Sequence, residues 1–193
     1  MSADLVGKEN VWHTVVEYFK HFRYGFDLTS SAPSLEKRPS AQFDFLQTAM
    51  VPDVICNTGN GLKHVMKTWK RLSQFFSDVE ITLEQLKKDA HGSLVATTKT
   101  SLMITEHTLR NVFPHFCAEA DSNENGSDAS SLGRKLIGQR LIVWGSSRFE
   151  FDERTGRITS LICMSDMVTP MLKLLGNLED VSTVFKTDEK ACA

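Results

Sequence analysis

The sequence has little cysteine, little net charge and no long hydrophobic run. Its 4 cysteines are scattered over 193 residues without a CxxC pair, which excludes a zinc ribbon and a compact disulfide framework. Because 22 basic side chains nearly balance 24 acidic ones, few are left to neutralise phosphates, and we expect no direct nucleic-acid binding by this segment. No apolar stretch approaches the length of a membrane-spanning helix, so we expect no membrane association.

Short motifs of common enzymes and sorting signals are also missing. The first residues contain no charged segment followed by an apolar run, and position 2 is serine where myristoylation requires glycine. Together with the scattered cysteines, these features predict a nuclear or cytoplasmic protein. No GxSxG, HExxH, phosphate-binding loop or dinucleotide fingerprint occurs, so we predict no catalytic residue, no metal site and no cofactor.

The sequence does have a clear change of periodicity. Apolar residues recur at helical spacing over about residues 12–22, 41–50 and 62–76, and a short apolar strand at 54–56 separates the last two stretches. From residue 79 to 164 the period is mostly two, which indicates long antiparallel strands. This order predicts an α+β cone, in which a curved antiparallel sheet packs against N-terminal helices and a helix follows at the C-terminal end.

The length of the chain fits one domain, which we expect to span residues 10–185. We expect disordered segments at residues 1–9 and 186–193. Residues 119–131 carry acidic side chains, no basic one and few apolar ones. Because such a segment buries too little surface to offset its loss of entropy, we predict a mobile insertion at about residues 117–133.

Five side chains are candidates for lining a pocket inside the cone: Tyr18, Asp53, Trp69, Trp144 and Arg148. Tyr18 borders the apolar stripe of the first helix, where a place at the edge of the core is its commoner role, and Trp69 belongs to the third stripe. Asp53 precedes the short strand, where a turn or capping role is commoner than that of a general base. Trp144 and Arg148 alternate onto one strand face, where the arginine either anchors an acidic ligand or forms a cross-strand pair.

The order of helices and strands over about residues 8–166 resembles the nuclear transport factor 2-like, or SnoaL-like, superfamily. Residues 148–158 are similar to the penultimate hairpin of that superfamily. The resemblance implies a cone-shaped domain, and it implies that enzymatic members use carboxylates, histidines and tyrosines inside the cone. Steroid isomerases of the superfamily carry a basic aspartate in the strand after the second helix, but the matching residues 55–58 contain no carboxylate.

Longer strings resemble a narrower group, the domain that follows the basic leucine zipper (bZIP) in oomycete-type transcription factors. This resemblance implies a domain that accompanies a transcription factor without reading DNA itself. Residues 1–9 contain neither a basic region nor heptads, which leaves open a zipper upstream of Met1 or a stand-alone relative. The strings occur at residues 18–19, 22–25, 50–54 (MVPDV), 69–72, 105–115 (TEHTLRNVFPH) and 166–176 (DMVTPMLKLLG).

Two functions follow from these resemblances. The first is a non-enzymatic module for dimerisation, partner binding or small-ligand binding in transcriptional regulation, with a homodimer or protein partner and a small apolar ligand. The alternative is a SnoaL-like lyase or isomerase that acts by acid and base on a small hydrophobic substrate. Ionisable side chains that converge inside the cone would favour the enzyme, whereas a cavity filled by Phe, Met and Trp would favour the module.

Overall fold

A computed structural model describes residues 3–28, 41–114 and 128–185 of the chain. These ranges contain seven helices and six strands, which together form the α+β class that the sequence predicts. In chain order they are α1 (Ala3–His21), α2 (Ala41–Ala49), β1 (Met50–Cys56), β2 (Gly59–Asn60), α3 (Leu62–Phe75), β3 (Ser77–Lys88), β4 (Leu94–Met103), α4 (Glu106–Val112), α5 (Asp128–Leu136), β5 (Arg140–Phe151), β6 (Ile158–Asp166), α6 (Val168–Leu175) and α7 (Leu178–Val184).

All six strands belong to one sheet, in the order β2-β1-β6-β5-β4-β3. The long hairpins β3–β4 and β5–β6 confirm the predicted antiparallel strands. The pair β1–β6 is parallel, so the short first strand adds one parallel pair beside the predicted antiparallel strands. Only strands joined by a tight turn must run antiparallel. Because about a hundred residues of chain separate β1 from β6, no hairpin fixes their relative direction.

Irregular pairing bends the sheet around its inner face. β4 and β5 pair without interruption, from Leu94 opposite Phe149 to Met103 opposite Arg140. Three other pairs carry register shifts: β3–β4 has two, β5–β6 has one between Glu150 and Phe151, and β1–β6 has one between Met50 and Ile55. Such bulges increase the local twist of a strand, and a twisted sheet of this kind leaves a hollow face for the helices to cover.

The N-terminal helix packs one aromatic stripe against that inner face. Val15, Tyr18, Phe19 and Phe22 recur at helical spacing, and each is at most 6% exposed. The rings of Tyr18 and Phe19 lie 5.5 and 6.0 Å from the ring of Phe149 on β5, both edge-to-face. This geometry is favourable for aromatic pairs, so the stripe fixes α1 across the middle of the sheet.

The boundaries of two helices differ from the sequence-based predictions. α1 begins at Ala3 and so includes most of residues 1–9, which are predicted to be disordered; the stretch contains Gly7 but no proline. α5 (Asp128–Leu136) begins inside the predicted insertion 117–133, and its Leu132 and Leu136, one turn apart, are buried. Residues 115–127 and 186–193 lie outside the described residues.

Capping residues end α6 and start α7. Gly176 follows α6 with φ of 83°, a left-handed conformation that glycine adopts without strain. Asn177 then begins α7, where its side chain accepts a hydrogen bond of 2.8 Å from the backbone N–H of Asp180. None of the described helices combines the length and the apolar character needed to cross a bilayer.

Candidate functional site

The helices and the inner face of the sheet enclose a cavity of about 590 Å³. This volume lies within the range of about 300–1,000 Å³ that is typical of pockets for small molecules. α3 forms much of one wall, and alternate residues of β4 and β5 form the opposite wall. The apolar side chains that line it include Phe19, Val65, Trp69, Leu72, Phe75 and Val143.

Strand alternation decides which groups of the sheet face the cavity. On β4, Thr98, Thr100 and Leu102 line it. On β5, Gly145 pairs with Thr98 and also faces the cavity. A Cβ atom added to Gly145 would lie only 2.7 Å from the carbonyl oxygen of Met164 on β6. A larger residue at this position would displace the backbone of β6, so the glycine permits both the close strand pairing and the open space.

A buried hydrogen bond between two side chains of the wall joins α1 to α3. Trp69 Nε1 donates a hydrogen bond of 2.8 Å to the hydroxyl oxygen of Tyr18, and the two residues are 9% and 2% exposed. Burial is the main cause that raises the pKa of Tyr18 well above its ordinary value of 10.0. The phenol is therefore neutral at physiological pH, and it serves as a hydrogen-bonding group and not as a base.

Two thiols also line the cavity, at Cys56 and Cys163. Asn57 holds Cys163 in place, since its side-chain amide donates to the backbone oxygen of Cys163 at 2.9 Å and accepts from its backbone N–H at 2.8 Å. Cys163 is accessible to water through the cavity, yet the protein surrounds it closely enough that burial raises the pKa of its thiol. A thiol that stays protonated is a poor nucleophile.

Two of the five predicted pocket residues, Tyr18 and Trp69, lie in the wall and contact each other. Sequence reasoning missed Arg71, Thr98 and Cys163, which also line the cavity. The strand that contains Thr98 carries threonine on both faces, so its composition does not indicate which face turns inward. Arg71 belongs to a helix rich in basic residues, where a solvent-facing role is the ordinary interpretation.

The other three predicted residues do not line the cavity. Asp53 is exposed on β1, and Trp144 and Arg148 are exposed on the outer face of β5. The two β5 residues point outward because the alternation that brings Val143 inward turns their positions away. Arg148 instead forms an ion pair of 2.9 Å with Asp89. The ion pair of Arg148 agrees with the cross-strand alternative, and none of these three side chains is part of the described wall.

Among the described residues, no aspartate, glutamate or histidine lines the cavity. His64 lies outside it, with Nδ1 at 2.6 Å from the carbonyl oxygen of Asn60, and His21 stacks on the ring of Phe45. The described part of the chain also contains no group of three metal-ligating side chains. The wall thus offers apolar surface and hydrogen bonds, but no carboxylate or imidazole that can exchange protons at neutral pH.

Comparison with known proteins links the N-terminal third of the chain to a transcription-factor domain. Residues 12–75 match the family described as the BZIP transcription factor 1 C-terminal domain. The matching range runs from α1 to α3 and includes Tyr18, Trp69 and Arg71. It therefore supports the resemblance to bZIP-linked domains that the sequence strings indicate. No curated protein sequence matches the chain.

Solved structures resemble the chain over most of its length. A SnoaL-like polyketide cyclase from Agrobacterium tumefaciens has a TM-score of 0.54 at 14% identity, covering 86% of this chain and 98% of that one. IdmH from Streptomyces antibioticus has a TM-score of 0.52 at 12% identity, covering 86% of this chain and 99% of that one. The fold is nuclear transport factor 2-like. Bal32a, from a soil-derived mobile gene cassette, has a TM-score of 0.51 at 13% identity over 87% of this chain and 98% of that one.

These likenesses confirm the predicted nuclear transport factor 2-like fold. At sequence identities of 12–14%, these similarities are evidence for the fold only and not for a shared function. The chemistry of the cavity must be argued from its own side chains.

Replacing Tyr18 with phenylalanine tests the hydrogen bond inside the wall. Tyr18→Phe keeps the ring but leaves the indole N–H of Trp69 without its acceptor, so we expect the free energy of unfolding to fall by about 1–3 kcal/mol. Urea titration followed by circular dichroism measures the change. The matched control is Tyr24→Phe, at a tyrosine that is 70% exposed; it should change stability by less than about 0.5 kcal/mol. Equal stability of the two variants would contradict the bond.

A pH titration tests the raised pKa of Tyr18. Since the chain has 2 tyrosines, Tyr24→Phe leaves Tyr18 as the sole phenol. Its folded-state pKa lies above the unfolded value of about 10, so its contribution to stability is complete below that pH and is lost as pH rises further. We expect phenolate absorbance only above about pH 10, together with loss of the folded circular dichroism spectrum. Titration near the ordinary value in an intact fold would contradict the burial.

Proposed function

We propose that the chain is a non-enzymatic nuclear transport factor 2-like module, which dimerises and binds a small apolar ligand in a nuclear or cytoplasmic transcriptional regulator. The observation that carries this proposal is the composition of the cavity, whose described lining contains no carboxylate and no imidazole. The match of residues 12–75 to a bZIP-linked domain supports the regulatory context. We assign no reading of DNA to this segment, because its charges nearly balance.

Proton-transfer catalysis requires a group whose pKa lies near the working pH. The ionisable groups in the described wall are Tyr18, Arg71, Cys56 and Cys163. Burial raises the pKa of Tyr18 and of Cys163, and an arginine remains protonated throughout the physiological range. The two groups with a raised pKa keep their protons at neutral pH, so neither they nor the arginine is suited to act as a general base.

The alternative, a SnoaL-like acid–base lyase or isomerase, has one observation in its favour. The phenol of Tyr18 accepts a hydrogen bond from Trp69 and keeps its own O–H to donate, so it can stabilise a developing oxyanion in a bound substrate. That phenol has no carboxylate or histidine partner in the described wall. We therefore favour binding over catalysis.

The outer face of the sheet supports self-association. Ile142, Trp144 and Met164 are 37%, 50% and 70% exposed there, and an exposed apolar patch of this kind is typical of an interface. In the register of the sheet, Lys99, Trp144 and Asp166 lie side by side on β4, β5 and β6. A two-fold axis that runs parallel to β5 near Trp144 would place Lys99 of each copy opposite Asp166 of the other, so in this orientation the face is complementary to itself.

Trp144→Glu tests the dimer. We expect the wild-type chain to show twice its monomer mass of 21.7 kDa in light scattering after size exclusion, and the variant to show the monomer mass, because a charge replaces the central apolar contact. Trp12→Glu is the matched control, at a tryptophan of α1 that is 37% exposed, and it should remain dimeric. A monomeric wild type, or equal loss of dimer in both variants, would contradict this interface.

Nile red, a neutral apolar dye, tests the cavity. Thr100→Phe fills space between the strands and α3, so we expect it to weaken binding of the dye by about tenfold or more in a fluorescence titration. Thr82→Phe adds the same ring at an exposed position of β3, outside the cavity lining, and should leave binding unchanged. Equal affinity of both variants would show that the dye binds elsewhere and would contradict the proposed ligand site.

A further inference from the structure

We propose that the cavity is selective for an apolar carboxylic acid, whose carboxylate binds Arg71 at the mouth while its hydrocarbon part fills the interior. This inference rests on the proposed ligand-binding function and specifies the chemical class of the ligand. Three features of the described residues support it: the position of Arg71, its lack of partners, and the charge distribution of α3.

Arg71 lies where the cavity meets solvent. Its side chain is exposed, and it is also part of the lining, so it stands at the rim. Within the described part of the chain it forms no hydrogen bond and no ion pair. By comparison, Arg23, Arg110 and Arg140 each pair with a carboxylate. The guanidinium of Arg71 thus keeps all its donors for a ligand, and its planar fork matches a carboxylate in a bidentate contact.

The other amide and threonine groups at the rim are already engaged. Asn57 bonds to the backbone of Cys163, and Asn111 donates to the carbonyl oxygen of His107 at 2.8 Å. The hydroxyl of Thr68 donates to the carbonyl oxygen of His64 at 3.1 Å. A charged group of a ligand therefore finds its strongest available partner in Arg71.

The helix that carries Arg71 is basic, although the chain as a whole has a formal charge of −2. α3 contains Lys63, Lys67, Lys70 and Arg71 and no acidic residue. Since the described lining of the cavity has no carboxylate either, a cationic ligand would meet only positive charge at this wall. An anion, in contrast, meets a positive charge and no negative one at this wall.

The interior of the cavity fixes where the charge of the ligand must lie. Arg71 is the one charged side chain among the described lining residues, and the deeper wall is formed mainly by rings and aliphatic groups. A buried charge without a partner is strongly disfavoured, so an anionic group deep in the cavity is excluded. The ligand is thus amphipathic, with its anion at the rim and its apolar part inside.

Competition between a fatty acid and its alcohol tests the proposal. Dodecanoate and dodecanol have the same chain length, and each displaces Nile red from the full chain near neutral pH, where only the acid is charged. We expect Arg71→Gln to lower the affinity for dodecanoate by about tenfold, which is the usual effect of losing a charge-assisted hydrogen bond. The affinity for dodecanol should stay unchanged. The control is Lys67→Gln, at an exposed lysine of the same helix that does not line the cavity, and it should change the affinity for neither ligand.

The outcomes separate this inference from the proposed function. If Arg71→Gln lowers the affinities for the acid and the alcohol equally, or lowers neither, the carboxylate does not bind Arg71 and the inference is overturned. The proposed ligand cavity still stands in that case, provided that Thr100→Phe weakens binding of the dye. If the dye is insensitive to Thr100→Phe, both proposals fail together. Circular dichroism of each variant excludes loss of folding, which is not expected because Arg71 is exposed.

Discussion

The packing of Tyr18 between the helices and the sheet is the interaction on which the rest of the structure depends. Its ring lies within 6.5 Å of five other aromatic rings. Four of them belong to α1, α2, α3 and β5, and the fifth, Phe22, directly follows α1. Its hydroxyl is the acceptor for Trp69 on α3. One residue therefore fixes the position of α1 on the sheet and the position of α3 above it. Because the aromatic cluster fills one part of the space between helices and sheet, the remaining part stays open as the cavity.

The alternation of β5 assigns separate roles to the two faces of the sheet. Val143, Gly145 and Ser147 face the cavity, whereas Ile142 and Trp144 face outward. A ligand and a second copy of the chain would thus contact the same strand from opposite sides without competing for surface. A shift of this strand by one residue would exchange the two faces, so the uninterrupted pairing of β4 with β5 is essential to both proposed functions.

The sequence predicted those features that local periodicity encodes. The helical stripes located α2 and α3, and the period of two located the long hairpins, because each pattern reports which side of its own element is buried. The same pattern placed Trp144 and Arg148 on one strand face but could not tell which face points inward, since Val143 and Ile142 are equally apolar. That choice depends on which side α1 covers, which is a long-range contact. The parallel pairing of β1 and the position of Arg71 at the rim were missed for the same reason.

The open cavity argues for an occupant more strongly than the apolar character of its wall does. Protein interiors pack as densely as organic crystals, and an unfilled apolar space weakens the fold by the contacts that its lining loses. Phe, Met and Trp side chains filling the cone would have indicated a scaffold alone. Here the aromatic rings of α1 pack tightly against the sheet, yet about 590 Å³ remains beside them, lined partly by small residues such as Gly145 and Ser147. Larger side chains at these positions would reduce the space, and the proposed ligand would complete the packing when it binds.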